Sequence, residues 1–88
     1  MFYFVYVLES NFDGGWYIGF TANIKKRLAQ HSEGRGGKTT RLKKGWKLIY
    51  FEGYLLKKNA AGREKFLKSG SGRKYLKKQL VNYLSENI

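Results

Sequence analysis

Three short stretches of the chain have the aromatic and β-branched content that is typical of β-strands, and they cover residues 2–9, 16–20 and about 46–54. The first and third stretches are apolar at both odd and even positions, and a strand that is apolar on both faces is usually central in its sheet. Between the first two, residues 10–15 end in Asp-Gly-Gly, which favours a turn. We therefore predict an antiparallel hairpin followed by a third strand.

Helical spacing follows the second strand. Ile24 and Leu28 lie four positions apart, Thr21 or Asn23 is a suitable N-terminal cap, and the helix is expected to end before Gly34. The segment after it, residues 34–45, mixes glycines with basic side chains and is predicted to be a loop.

Two more helices are predicted after the third strand. One covers about residues 57–69, with Asn59 as its cap and Gly70 just after its last turn. The other begins at Ser71 and ends at about residue 86, with an apolar stripe of Leu76, Leu80, Tyr83 and Leu84. The order β-β-α-β-α-α predicts an α+β fold with a small three-stranded mixed or antiparallel sheet flanked by three helices.

Length and composition narrow the class of protein. A chain of 88 residues has the length of one small domain, so we expect a single domain over residues 1–88. Hydrophobic residues make up 42% of the chain and aromatic residues 17%, which excludes a disordered basic tail. The absence of cysteine excludes disulfides and zinc–thiolate sites. Because no apolar run approaches the ~20 residues of a membrane span, we expect a cytoplasmic protein that does not contact membranes.

The charge of the chain indicates a polyanionic partner. Lysine and arginine number 18 against 6 acidic residues, a net charge of +12, and nucleic acid is the simplest partner for such an excess. The cations expected to contact it lie in the loop and in the last helix; they are Arg35, Lys38, Arg41, Lys43, Lys44, Arg73, Lys74 and Lys77. We expect this binding to be electrostatic and not sequence-selective.

Arg27 and the single histidine, His31, are four residues apart and would project from one side of the first predicted helix. A guanidinium can bind a phosphate through paired hydrogen bonds, and an imidazole beside it can move a proton near neutral pH. A solvent-exposed helix face in a basic protein explains the same spacing, and from spacing alone this simpler interpretation is favoured.

Glu64 falls on the same arc of a helical wheel as Ala60 and Leu67, and so on the predicted core-facing side of its helix. An ionised carboxylate there is costly unless it is paired or coordinated. A divalent-metal ligand and a salt bridge to a nearby lysine or arginine explain this position equally well. The other five acidic residues lie in loops, at strand ends or near the C-terminus and need no such explanation.

Two tyrosines, Tyr6 and Tyr17, lie on the adjacent strands of the predicted hairpin, and Gly19 follows in the second strand. Strand tyrosines are usually packing residues, and the connection does not fix the register that would put both rings on one face. A glycine inside a strand marks a bulge or the close approach of another group, and a phosphate or a helix end would fit.

Together these residues resemble the GIY-YIG nuclease family over essentially the whole chain. Phe4-Val5-Tyr6 stands at the first triplet, with Phe4 in place of glycine, and Tyr17-Ile18-Gly19 matches the second. Arg27, His31 and Glu64 match the later family positions in order. The short stand-alone members are the most similar, and they resemble the catalytic module of excision-repair and homing endonucleases.

The resemblance implies a metal-dependent endonuclease that hydrolyses DNA phosphodiester bonds without sequence specificity or according to DNA structure. A single Mg²⁺ or Mn²⁺ ion would be held mainly by Glu64, and Arg27 would bind the scissile phosphate. A tyrosine would orient or deprotonate the attacking water; we favour Tyr17, with Tyr6 hydrogen-bonded nearby and His31 accepting the proton or keeping the tyrosine poised. We expect the sheet to present Glu64, Arg27 and both tyrosines on one concave surface.

A second function stays open from the sequence. Where many family members have an asparagine, this chain has Arg73-Lys74-Tyr75-Leu76-Lys77, which is compatible with a weak nuclease or with one that needs a protein partner for specificity. The alternative is a non-catalytic basic module that binds nucleic acid, and an inward carboxylate at Glu64 argues against it.

Overall fold

The computed structural model describes residues 1–32 and 45–86. The elements within them are β1 (Tyr3–Ser10), β2 (Trp16–Thr21), α1 (Ile24–Ser32), β3 (Trp46–Tyr54), α2 (Lys57–Lys68), α3 (Gly70–Gln79) and α4 (Val81–Glu86). The strands form one antiparallel sheet in the order β2-β1-β3. The predicted α+β fold is confirmed. The first strand is central as its two apolar faces indicated, whereas the third strand, which is also apolar on both faces, lies at an edge.

The turn between β1 and β2 sets the register that the sequence left open. Ser10 donates its backbone N–H to the carbonyl of Gly15 (2.8 Å), and Gly14 has a φ of 73°, a conformation that favours glycine. Tyr6 then pairs with Gly19, and Leu8 with Tyr17. Because directly paired residues project from the same face of a sheet, Tyr6 and Tyr17 share a face.

The two faces of the sheet are covered by different helices. Odd-numbered residues of β1, including Val5 and Val7, pack with Ile18 and with side chains of α2 and α3 in the main hydrophobic core. On the even-numbered face, α1 packs its His31 ring against Tyr6 and Tyr17. The side chains of α1 can therefore contact Tyr6 and Tyr17 directly, because this helix packs on the face that carries both tyrosines.

Asn23 caps α1 as predicted, because its Oδ1 accepts the backbone N–H of Lys26 at 3.0 Å. The prediction of Asn59 as the cap of α2 is wrong, since that helix begins at Lys57 after Leu56. Gly70 directly follows the C-terminal cap of α2 as predicted, but without the positive φ that is typical of a glycine there. Ser69 ends that helix, and its Oγ accepts the N–H of Gly72 at 3.1 Å.

This capping contact places Gly70 and Ser71 inside α3, so Ser71 is not its cap. The single last helix predicted up to residue 86 is also wrong, because Leu80 (φ −102°, ψ 20°) interrupts it between α3 and α4. In α4, the Tyr83 hydroxyl donates to Glu9 Oε1 of β1 at 2.6 Å. Within residues 1–32 and 45–86, no helix has the length and hydropathy needed to cross a membrane.

Candidate active site

The Tyr6 phenol lies at the centre of a buried cluster on the even-numbered face. Its oxygen is 3.0 Å from His31 Nε2 and accepts a hydrogen bond from Arg27 Nε at 3.3 Å. A Cβ atom at Gly19 would lie 2.7 Å from this oxygen. The group that closely approaches Gly19 is therefore the Tyr6 side chain, rather than a phosphate or a helix end.

His31 is buried, which makes the interpretation as a solvent-exposed helix face wrong. Burial, with a smaller effect of the Arg27 charge, lowers the pKa of His31 below its ordinary value of 6.5, so the imidazole is neutral at pH 7. With its proton on Nδ1, the ring accepts the Tyr6 hydroxyl hydrogen at Nε2. In the described part of the chain, Nδ1 itself has no hydrogen-bond partner.

Arg27 joins the two tyrosines. Besides Tyr6, its guanidinium donates through Nη1 to Gln30 Oε1 at 3.1 Å. The hydrogen bond to Tyr6, followed by smaller effects that include Tyr17, raises the pKa of Arg27 above its ordinary value. Burial raises the pKa of Tyr6, although the Arg27 hydrogen bond opposes the shift. The pair is thus a fixed cation beside a protonated phenol.

Glu64 lies on a different helix from Arg27, since α2 carries Glu64 and α1 carries Arg27. The Tyr6 oxygen lies close to Gly19 of edge strand β2, and α2 contacts β1 and the same strand. The presentation of Glu64, Arg27 and both tyrosines on one concave surface stays a prediction. The negative charge of Glu64 is close enough to contribute to the raised pKa of Tyr6, although it is the smallest of the causes.

The Glu64 carboxylate forms an ion pair with Lys68 (Oε2–Nζ 3.3 Å) one turn later in α2, so the salt-bridge interpretation is the one observed. The Lys68 side chain is 55% exposed, and such i,i+4 pairs are weak and easily opened. Residues 1–32 and 45–86 contain no group of three or more histidine, cysteine or acidic residues able to hold a metal ion. One carboxylate with the remaining ligands from water and phosphate nevertheless fits Mg²⁺ or Mn²⁺, which prefer oxygen donors.

A second partly buried acid was missed in the sequence. Glu52 in β3 accepts hydrogen bonds from the hydroxyls of Tyr50 and Tyr54 and from Nε and Nη2 of Arg63 at 2.9 and 3.1 Å. The Arg63 guanidinium also lies 4.7 Å from the centroid of the Tyr75 ring. The signal was available, because Tyr50 and Tyr54 lie two positions on either side of Glu52 and share its face of the strand.

The Glu52 cluster ties β3 to α2 with every carboxylate oxygen paired, so we regard it as structural. The predicted nucleic-acid contacts on α3 are exposed, and Arg73 and Lys77 line a shallow cavity with Glu9 and Trp16, away from the tyrosine cluster. The predicted loop contacts Arg35, Lys38, Arg41, Lys43 and Lys44 lie outside the described residues.

The model of the GIY-YIG catalytic domain family matches residues 2–78. A UPF0213 protein of Streptococcus pneumoniae serotype 4 is 40% identical over 84 residues, which are 96% of this chain and 79% of that protein. UPF0213 protein BH0048 of Halalkalibacterium halodurans is 37% identical over 82 residues, or 93% and 84% of the two chains. The solution NMR structure of the UPF0213 protein BH0048 from Bacillus halodurans gives a TM-score of 0.55 at 36% identity, covering 94% of this chain and 85% of that chain.

The solved structure confirms the three-stranded α+β architecture at a sequence identity that relates the two chains directly. Nucleases of the matched family generally use divalent metal ions. Since the family match and these relatives extend over nearly all of the sequence, the chain belongs to the GIY-YIG nuclease family and, within it, groups with the UPF0213 proteins.

Proposed function

We propose that this protein is a divalent-metal-dependent endonuclease that hydrolyses phosphodiester bonds in DNA according to structure rather than sequence. The observation that carries the proposal is the cluster at Tyr6, where one phenol oxygen contacts both the Arg27 guanidinium and a neutral buried imidazole. A surface that only binds nucleic acid needs the charge of Arg27, but it does not need a neutral buried histidine such as His31 in the same hydrogen-bonded cluster.

Arg27 binds the scissile phosphate in this proposal. Its Nε is occupied by Tyr6, and this bond fixes the plane of the guanidinium while the group keeps its full charge. A fixed cation that needs no reorganisation as charge develops on phosphate lowers the barrier more than a mobile one. Tyr6 and His31 therefore act as positioning residues, through Arg27.

Tyr17 contacts the attacking water. Tyr17 is half-buried whereas Tyr6 is fully buried, so Tyr17 is the more accessible of the two residues. The His31 ring packs against the Tyr17 ring with 4.7 Å between centroids and holds it in place. In this proposal Tyr17 orients or deprotonates the attacking water, and His31 holds the Tyr17 ring in position for that step.

Glu64 would hold the divalent ion, with release of Lys68. When bound, the ion would stabilise negative charge on the phosphate and the leaving oxygen. The weak ion pair means that the carboxylate can be freed at small cost.

The test is cleavage of supercoiled plasmid, branched DNA, single-stranded DNA and RNA, each with Mg²⁺, with Mn²⁺ and with EDTA. We expect metal-dependent cleavage of DNA that is lost in Glu64→Ala and in Arg27→Ala. Lys68→Ala is the matched control, because it removes the same ion pair but leaves the carboxylate, and it should retain cleavage. The variants also differ in metal-free binding, which Arg27→Ala weakens and Glu64→Ala leaves equal or tighter.

Binding without cleavage of any substrate would instead establish the alternative, a non-catalytic nucleic-acid-binding module. Equal cleavage by Glu64→Ala and the unmodified protein would show a contaminating nuclease.

A further inference from the structure

The even-numbered face of the sheet is only partly covered by α1. Phe2, Phe4 and Phe51 lie on this face beside the tyrosine cluster, and we call them the phenylalanine platform. Phe2 is 50% exposed and Phe51 is 55% exposed. Phe51 pairs directly with Tyr6 in the β1–β3 register, so the platform is continuous with the candidate active site.

The platform is an ordered surface rather than three separate side chains. The Phe4 ring contacts the Phe2 ring at a centroid distance of 6.4 Å and meets the Phe51 ring edge-on at 6.0 Å. Phe2 and Phe4 both lie against Gly53 of β3, where a Cβ atom would be 3.5 and 3.4 Å from them. The rings therefore rest on a strand position that has no side chain.

An exposed aromatic surface beside a cluster that contains an arginine fits one kind of partner. Unpaired bases stack on aromatic rings while cations hold the backbone, and this combination is sequence-tolerant because every base has a flat face. Bases inside a duplex are already stacked on each other and offer no face to a protein ring. The net charge of +12 favours a polyanion here and disfavours a second copy of the chain, which would bring two large positive charges together.

We propose that the phenylalanine platform binds unpaired bases, so that the substrate class is single-stranded nucleic acid or the single-stranded part of a branched one. The proposal rests on the proposed function for the position of the scissile phosphate at Arg27. The bases next to that phosphate then stack on Phe51 and Phe4 of the phenylalanine platform.

The experiment is fluorescence anisotropy with a short labelled oligodeoxythymidine, in EDTA so that no cleavage intervenes. The parallel probes are the same strand annealed to its complement, an abasic strand with the same number of phosphates, and an oligouridine that reports on RNA. Phe51→Ala should weaken binding of the single strand by roughly 5- to 150-fold, as expected for loss of one stacked base. Binding of the duplex and of the abasic strand should change by less than about twofold, since these depend on phosphate contacts.

The chain supplies a matched control in Phe12, which is 83% exposed in the β1–β2 turn and outside the platform. Phe12→Ala should leave all affinities unchanged. Phe51→Trp should restore or increase single-strand affinity, whereas Phe51→Leu, which keeps an apolar side chain without a ring, should not. The affinities of the unmodified protein for the normal and abasic strands can be compared without any variant, so this test remains available even if a variant fails to fold.

Three results would overturn the proposal. They are equal affinity for the normal and abasic strands, a loss in Phe51→Ala no greater than in Phe12→Ala, and a dimer in sedimentation that Phe51→Ala dissociates, since the platform would then be a self-association surface. The proposed function is judged separately by cleavage. If binding depends on the Phe51 ring but no substrate is cleaved, the platform proposal holds and the nuclease proposal fails. If the protein cleaves duplex DNA and Phe51→Ala has no effect, the nuclease proposal holds and the platform proposal fails.

Discussion

Gly19→Ala is the substitution that most directly probes the packing of the tyrosine cluster. The added methyl carbon would lie 2.7 Å from the Tyr6 oxygen and 2.9 Å from Cζ, whereas ordinary contacts begin at 3.4 Å. The phenol would have to move by roughly 0.7 Å, a figure that follows from these contact distances. Tyr6 is buried and held by His31 and Arg27, so such a movement lengthens at least one of its hydrogen bonds.

The expected cost combines these effects. Overpacking in a core costs about 1–3 kcal/mol, and a weakened hydrogen bond adds about 0.5–1.5 kcal/mol. The reduced flexibility of the unfolded chain offsets about 0.5–1 kcal/mol. We therefore expect Gly19→Ala to lower the free energy of unfolding by about 1–3 kcal/mol, or to lower Tm by roughly 5–20 °C in a domain of this size.

Urea denaturation of Gly19→Ala and Gly62→Ala side by side measures this effect. Gly62 lies in α2, and a Cβ atom there would meet nothing within 4 Å. Alanine at that position should raise the free energy of unfolding by about 0.5–1 kcal/mol through helix propensity. The two substitutions are thus expected to have opposite signs. If Gly19→Ala also stabilises the protein, the close approach of Tyr6 to β2 is refuted.

Three further outcomes are expected. Glu52→Gln should lower the free energy of unfolding, measured in urea, by about 1–3 kcal/mol, because the partly buried Arg63 loses its charged partner. Burial raises the pKa of Glu52, but its hydrogen bonds outweigh burial and lower it overall, so the stabilisation is present above pH 4.5 and is lost as pH falls through the folded-state pKa. The Glu52→Gln variant should lack this pH dependence. His31 has a lowered pKa, so stability should decline as pH falls below 6.5 towards the folded-state value, and thermal melts of His31→Gln should lack that decline. If about five phosphates of duplex DNA are contacted, log K should fall with log salt at a slope of about −4 to −5, and affinity that does not vary with salt would contradict the electrostatic interpretation.

Strand content was predictable because it depends on neighbouring residues. The apolar residues on both faces of residues 2–9 indicated a central strand, the Asp-Gly-Gly turn indicated a hairpin, and both are confirmed. Helix ends were less predictable. Several residues near each end are able to cap, and the backbone geometry selects among them: Ser69 caps α3 in place of Ser71.

The site was predictable as a set of residues but not as an arrangement. Spacing could not show that His31 is buried, because that depends on where α1 crosses the sheet. Gly19 indicated a close approach but not by which group, since the register was open. Tyr50 and Tyr54 on the same strand face indicated that Glu52 has partners, but only the fold shows that Arg63 of the next helix completes its hydrogen bonds.

The central position of β1 has a consequence for synthesis. The middle strand precedes both of its partners, and β2 begins at Trp16 whereas β3 begins at Trp46. A β1–β2 hairpin can close early and already sets Tyr6 beside Gly19, but an isolated hairpin is marginally stable in water. Until β3 emerges from the ribosome, one edge of β1 stays unpaired, and an unpaired apolar strand edge in a nascent chain is prone to aggregation. The register that brings Tyr6 and Tyr17 to one face can therefore form before β3 stabilises the sheet.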